Sequence, residues 1–115
     1  MKRKEFVEQI KKNTEKDFKI LEAKNSDYAD GDDAFQNFKV VEHVGLTTVE
    51  VGIMVRLSDK FQRIANLLKR DAEVADEKIA DTLSDARNYL NILQVYLEYE
   101  KERTLPEIEI KTKKK

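Results

Sequence analysis

The sequence predicts an all-α fold: a helical bundle of about four helices with two long antiparallel helices at its centre, Val49 to Arg70 and Asp76 to Glu102, in a chain expected to form a homo-oligomer. Three observations carry this. Apolar residues recur at helical spacing in four successive segments. The connection between the two long segments is short, which makes them antiparallel neighbours. The second long segment turns apolar on two faces in its C-terminal half, as a helix does when it is central in a bundle or an oligomer.

The first helix is expected over Arg3 to Ala23, where Phe6, Val7, Ile10, Phe18 and Leu21 recur among charged residues. Its polar middle, Lys11 to Thr14, predicts packing on one side only. Lys24 to Asp33 then gathers turn-forming residues with four aspartates, Asp27, Asp30, Asp32 and Asp33, and reads as a loop. It lacks the alternating acids and the glutamate six residues after the glycine that a calcium hand requires. Two readings stand for it: a solvated loop in which Asp32 or Asp33 caps the next helix, or a lid in which Asp27 and Tyr28 meet a nucleotide, the ring stacking on a base.

Ala34 to Val44, with Phe35, Phe38, Val41 and Val44, predicts a short amphipathic helix ending at Gly45. His43, the single histidine, suits the negative end of that helix and is assigned no chemistry. Thr47-Thr48-Val49-Glu50 fits a capping box, with Thr47 and Glu50 satisfying orphan amides at the start of the next helix.

Each long helix carries a narrow polar stripe. At about 100° per residue, Arg56, Asp59, Arg63, Asn66 and Arg70 fall within about 80° of one another, opposite Ile53, Leu57, Phe61, Ile64 and Leu68. On the second helix Glu77, Asp81, Asp85 and Asn88 do the same, away from Ile79, Leu83, Ala86, Leu90, Leu93 and Leu97. Carboxylates at successive i, i+4 positions repel one another and call for solvent, a cation or a basic partner. Further along, the acidic azimuth becomes Ile92, Val95 and Tyr99. Asp71 to Ala75 is read as the connection, with Asp76 capping the second helix. The two stripes can then face each other, Arg56, Asp59, Lys60 and Arg63 against Glu77, Asp81 and Asp85. That pairing reads either as a ladder of surface ion pairs, of little energetic weight, or as a cleft where carboxylates hold a divalent cation and arginines hold phosphate oxygens.

Leu105-Pro106 is expected to stop the helix, leaving residues 105–115 as a basic tail, an edge strand or disordered, after a single domain over residues 1–104. With 39% charged residues but a net charge of −1, the chain has no global field to attract nucleic acid or membrane. The absence of cysteine excludes disulfides, thiolate metal sites and a cysteine nucleophile. The basic N-terminus lacks the apolar run of a signal peptide, so a soluble, cytoplasmic protein is expected.

Three blocks carry a family resemblance: Lys24-Asn25-Ser26-Asp27-Tyr28 with Ala34-Phe35 and Asn37-Phe38; Val55 to Lys60 with Arg63-Ile64 and Asn66-Leu67-Leu68; and Asp76-Glu77, Ile79, Asp81-Thr82-Leu83, Asp85 and Asn88-Tyr89. Across roughly residues 24 to 97 the chain resembles small phage and prophage proteins of the nucleotide-modification-associated family, all-α and distantly similar to MazG-like nucleotide pyrophosphohydrolases. The resemblance implies an oligomer with a nucleotide-sized cleft in a bacterial host's cytoplasm. It singles out Asp27, Tyr28, Arg56, Asp59, Lys60, Arg63, Asn66, Glu77, Asp81, Asp85 and Asn88. MazG-like enzymes hold magnesium with Glu-Glu-x-x-Glu on one helix and Glu-x-x-Asp on the next. Here the first helix offers Arg56-x-x-Asp59-Lys60 and the second spaces its acids by four, a pattern that favours anion recognition.

Two functions follow as expectations, hydrolysis first, because three acids in register on one face are more than phosphate binding requires, and binding without turnover as the alternative. In a Mg²⁺-dependent hydrolase of a nucleotide phosphoanhydride, Asp59, Glu77, Asp81 and Asp85 form the catalytic set. Glu77, Asp81 and Asp85 are its metal ligands, and Arg56, Lys60 and Arg63 neutralise developing charge. In a binding or sequestering protein without turnover, the cations act with an aromatic, Tyr28 or Tyr89, and no metal is needed. Asp27, Asn66 and Asn88 complete the expected nucleotide contacts. A structural oligomer whose stripes are only ion pairs is the third reading.

Overall fold

The computed structural model of this protein describes the backbone of residues 1–28, 33–70 and 72–113 and the side chains of residues 1–25, 33–70 and 78–103. Four helices follow in order, α1 Arg3–Tyr28, α2 Gln36–His43, α3 Val49–Leu67 and α4 Ala72–Lys113. No strand occurs among the described residues, and the expected all-α bundle holds.

The boundaries differ from the expected ones for local reasons. α1 continues through Lys24-Asn25-Ser26-Asp27-Tyr28, which was expected to be loop. Asn, Ser and Asp are only moderate helix breakers, and the first glycine comes at Gly31. α2 ends as expected: Gly45 adopts φ 77°, where a side chain would be strained. Leu46 N–H donates to Val41 O at 2.9 Å and Gly45 N–H to Glu42 O at 3.0 Å, the paired bonds of a Schellman finish. Thr47 N–H also donates to Val41 O, at 3.3 Å. Thr47 therefore belongs to the end of α2, and the cap of α3 moves one residue on, to Thr48, whose Oγ1 accepts from Val51 N–H at 3.3 Å. The expected Thr47–Glu50 box does not form, and Glu50 remains as an acid in the first turn, where the helix dipole favours it.

The N-cap of α2 is Phe35, without a side-chain cap, and not Asp33 as expected; Asp33 shapes the turn before it, its Oδ1 accepting from Phe35 N–H at 3.0 Å and its Oδ2 from Lys39 at 2.6 Å. α3 closes three residues early in tight turns, Lys69 N–H to Asn66 O and Arg70 N–H to Leu67 O. α4 starts at Ala72, so Asp76 lies inside the helix and does not cap it. The good helix formers Ala72, Glu73 and Ala75 account for the early start. The expected stop at Leu105-Pro106 is also absent, since α4 runs on to Lys113. A proline removes one hydrogen bond and crowds one carbonyl, which can bend a helix without ending it.

α3 and α4 are the expected antiparallel pair: Val49 and Ile53 near the start of α3 pack on Tyr96, whereas Lys60 further along meets Asp85. Phe35, Phe38, Tyr89, Ile92 and Leu93 close around the first contact. Gly52 brings α2 down onto α3, since a Cβ there would lie 2.8 Å from a Val41 methyl. Of the two apolar faces of α4, only part of the leucine-rich one meets the core. Ala86 and Tyr96 are buried and Leu93 packs on the core, but Leu83, Leu90 and Leu97 are exposed. The side that turns inward carries Asp85, Asn88, Tyr89 and Ile92, the acidic azimuth and its continuation.

Candidate functional site

α1 is tied to α4 by charge. The buried Asp17 carboxylate takes two hydrogen bonds from Arg87, Nε to Oδ2 at 2.5 Å and Nη2 to Oδ1 at 3.0 Å. The Asp17 carbonyl accepts from Asn88 Nδ2 at 3.0 Å. Burial pushes the Asp17 carboxyl up, but hydrogen bonds from Arg87 and Ser84 and the arginine's charge outweigh it and hold the group below the usual carboxylate range.

Residues of the four helices and the turn before α2 line a half-open cavity of about 680 Å³, within the range of small-molecule sites. α1 contributes Leu21, Lys24 and Asn25, and the turn into α2 contributes Asp33 and Ala34. α2 adds Asn37, Phe38 and Val40, α3 adds Arg56 and Lys60, and α4 adds Asp85, Asn88, Tyr89 and Ile92.

Two features dominate its chemistry. The first is an aromatic wall: Phe38 and Tyr89 meet edge to face at 6.4 Å, and the Arg56 guanidinium lies 4.8 Å from the Phe38 ring centroid. The cation–π contact holds a long side chain in one direction. The second is a charge bridge in which Asp85 accepts from Lys24 at 2.7 Å and from Lys60 at 3.1 Å. Burial raises the Asp85 pKa, but the two ammonium groups outweigh it and hold the carboxyl below its ordinary value. Asp33, the other acid of the lining, is paired with Lys39. Asn88 is buried and its Oδ1 accepts no hydrogen bond, while its amide nitrogen is fixed toward the Asp17 carbonyl. That oxygen is buried without a partner among the described residues.

Of the residues expected from sequence, Arg56, Lys60, Asp85, Asn88 and Tyr89 converge here. Asp59, Arg63, Asn66 and Asp81 are exposed and stand outside the cavity. Among the described residues the expected facing of the two stripes is therefore partial, seen in the Lys60–Asp85 bridge, because α3 turns Lys60 inward and leaves Asp59 and Arg63 exposed. The side chains of Asp27, Tyr28 and Glu77 lie outside the described residues.

The fit of a magnesium ion can be judged from the donors. Asp85 is occupied by two lysines, Asp81 and Asp59 point away, and the described residues contain no group of three potential ligands. The described donors do not fit that ion. Lys24, Asn25, Asn37 and Phe38 line the cavity without having been singled out as site residues. All four stand in the residue blocks on which a family resemblance was expected, which was the available signal.

Comparison with protein-family models, with curated proteins and with solved structures finds no match for this chain. Among the described residues no helix is long and apolar enough to cross a membrane.

Proposed function

We propose that the cavity binds a nucleotide or a nucleotide-derived anion and holds it without turnover. The observation that carries this reading is the convergence of Lys24, Arg56 and Lys60 with Phe38 and Tyr89 around one volume of about 680 Å³. A planar base packs against the Phe38–Tyr89 wall, where stacking on aromatic rings is tolerant of base identity. The phosphate meets Arg56, whose fork suits bidentate contact with phosphate oxygens, and Lys60 as a point charge. The amides of Asn25 and Asn37 reach base or sugar edges.

Binding is favoured over hydrolysis because three cations and two paired carboxylates line the cavity. A set of this kind recognises an anion and leaves no carboxylate of the lining uncommitted. The test is isothermal titration of the full chain with nucleoside mono-, di- and triphosphates at low salt. One saturable site, weakened by Lys60→Ala, is the expected result. Absence of binding across the panel would reject the reading.

A further inference from the structure

We propose, on the reading of the cavity as a nucleotide site, that the Asp17–Arg87 pair outside it positions α1 for the ligand, so that docking of α1 on α4 and occupancy of the cavity stabilise each other. Among the described side chains of α1 a single one is buried, and it is the Asp17 carboxylate, 4% exposed. Phe6, Val7, Ile10 and Phe18 are all about half exposed or more. A charge pair, and not an apolar face, is what chiefly holds this helix.

That choice fixes geometry. Apolar contact is non-directional and lets a helix slide or roll. The Arg87 guanidinium instead meets both Asp17 oxygens, through Nε and Nη2, and a forked pair sets direction as well as distance. Asn88 adds a bond from Nδ2 to the Asp17 carbonyl at 3.0 Å. This third bond goes to the backbone, so it holds the helix itself and not only a side chain.

The anchor acts at a distance on the cavity. Asp17 and Lys24 stand two turns apart on α1, about 10 Å along the axis and about 20° around it. Their partners Arg87, Asn88 and Asp85 lie within one turn of α4. α1 therefore crosses α4 over a short footprint with Asp17 as its pivot. A swing of about 20° there carries the Lys24 backbone about 3–4 Å, enough to break a hydrogen bond made by its ammonium. Leu21 and Asn25 move with it, and these three are the residues by which α1 lines the cavity. The cations Arg56 and Lys60 come from α3. An anion that meets Lys24 together with them bridges the two helices, and it favours docked α1 by the same factor by which docking favours the anion.

Isothermal titration with ATP, a fair probe because stacking tolerates any base, compares the wild-type chain with Lys24→Ala, Arg87→Gln, their double variant and Asp17→Asn. Each single substitution is expected to lower affinity about 10-fold. The double variant should fall less than about threefold below Arg87→Gln, because Lys24 contributes only while α1 is docked. Asp17→Asn is the sharpest arm: it removes a negative charge, so long-range electrostatics alone would strengthen anion binding. Additive losses in the double variant, wild-type affinity in Arg87→Gln, or tighter binding by Asp17→Asn overturns the proposal while the binding reading stands. Failure of the wild type to bind ATP rejects that reading and the proposal with it. Should the anchor variants unfold, hydrogen exchange of the wild type decides. Protection of the amides of residues 17–25 is expected to rise about 10-fold at saturating ATP, and unchanged protection overturns the proposal.

Discussion

The Asp85 carboxylate accepts the Lys60 ammonium at 3.1 Å across the α3–α4 interface, at the floor of the cavity. The acid that an enzyme reading would give to a metal is committed to a cation. Asp85→Asn removes a negative charge from among the cations while keeping the shape. Nucleotide affinity is expected to hold or to rise by a few-fold to about tenfold, with no dependence on Mg²⁺. Isothermal titration of both proteins, with and without the metal, checks this, and a large loss of affinity in the variant argues for a metal-ligand role instead.

Arg56 is exposed and held over Phe38 at 4.8 Å. Its replacement by alanine is expected to weaken phosphate binding by about 10- to 100-fold with little change in thermal stability. Arg63→Ala, outside the cavity, serves as the matched control on the same helix. Equal effects of the two substitutions would mean that general surface charge, and not the cavity, governs affinity.

At Gly52 an added methyl would meet Val41 at 2.8 Å. Val41 is β-branched and stiff, so Gly52→Ala forces α2 away from α3 and is expected to cost about 1–2 kcal/mol despite the better helix propensity of alanine. Val41→Ala on the same chain should recover most of that loss. Urea denaturation of the four proteins of the cycle measures the coupling, and additive effects would show that the close approach is not what the glycine is for.

Asp17 and Asp85 both have carboxyl groups held below the ordinary value. A depressed folded-state pKa means that the stabilisation is present in full above the unfolded value, 3.8, and is lost as pH falls through the lower folded one. The attachment of α1 should therefore weaken only in strong acid. The protection factors of α1 amides, corrected for the intrinsic pH dependence of exchange, are expected to be flat near neutrality and to fall at low pH. Asp17→Asn should remove much of that acid dependence and cost about 2 kcal/mol at neutral pH, through the lost charged hydrogen bonds to Arg87.

The helical pattern was legible because four amphipathic segments carry it, and the antiparallel α3–α4 pair followed from a short connection. The cavity was half legible. Arg56, Lys60, Asp85, Asn88 and Tyr89 were found through charge periodicity and the family-like blocks, whereas Lys24 and Asn25 were hidden by placing the end of α1 at Ala23. Periodicity expected the acidic azimuth of α4 to face α3, as Asp85, Asn88 and Tyr89 do, but did not say that Leu83, Leu90 and Leu97 stay exposed. A helix with apolar residues on two faces gives no local sign of which face its chain covers, and α4 turns Asp85, Asn88, Tyr89 and Ile92 inward while Leu83, Leu90 and Leu97 stay out. The Asp17–Arg87 pair, 70 positions apart, belongs to tertiary geometry that no spacing rule encodes.

The most direct measurement incubates the purified chain with a panel of ribo-, deoxy- and cyclic nucleotides, with and without Mg²⁺, and follows filtrate and heat-released ligand by mass spectrometry. The account predicts depletion of one nucleotide from the filtrate and its intact recovery after heating, whether or not Mg²⁺ is present. Appearance of a monophosphate that requires Mg²⁺ would contradict it and make the protein a pyrophosphohydrolase.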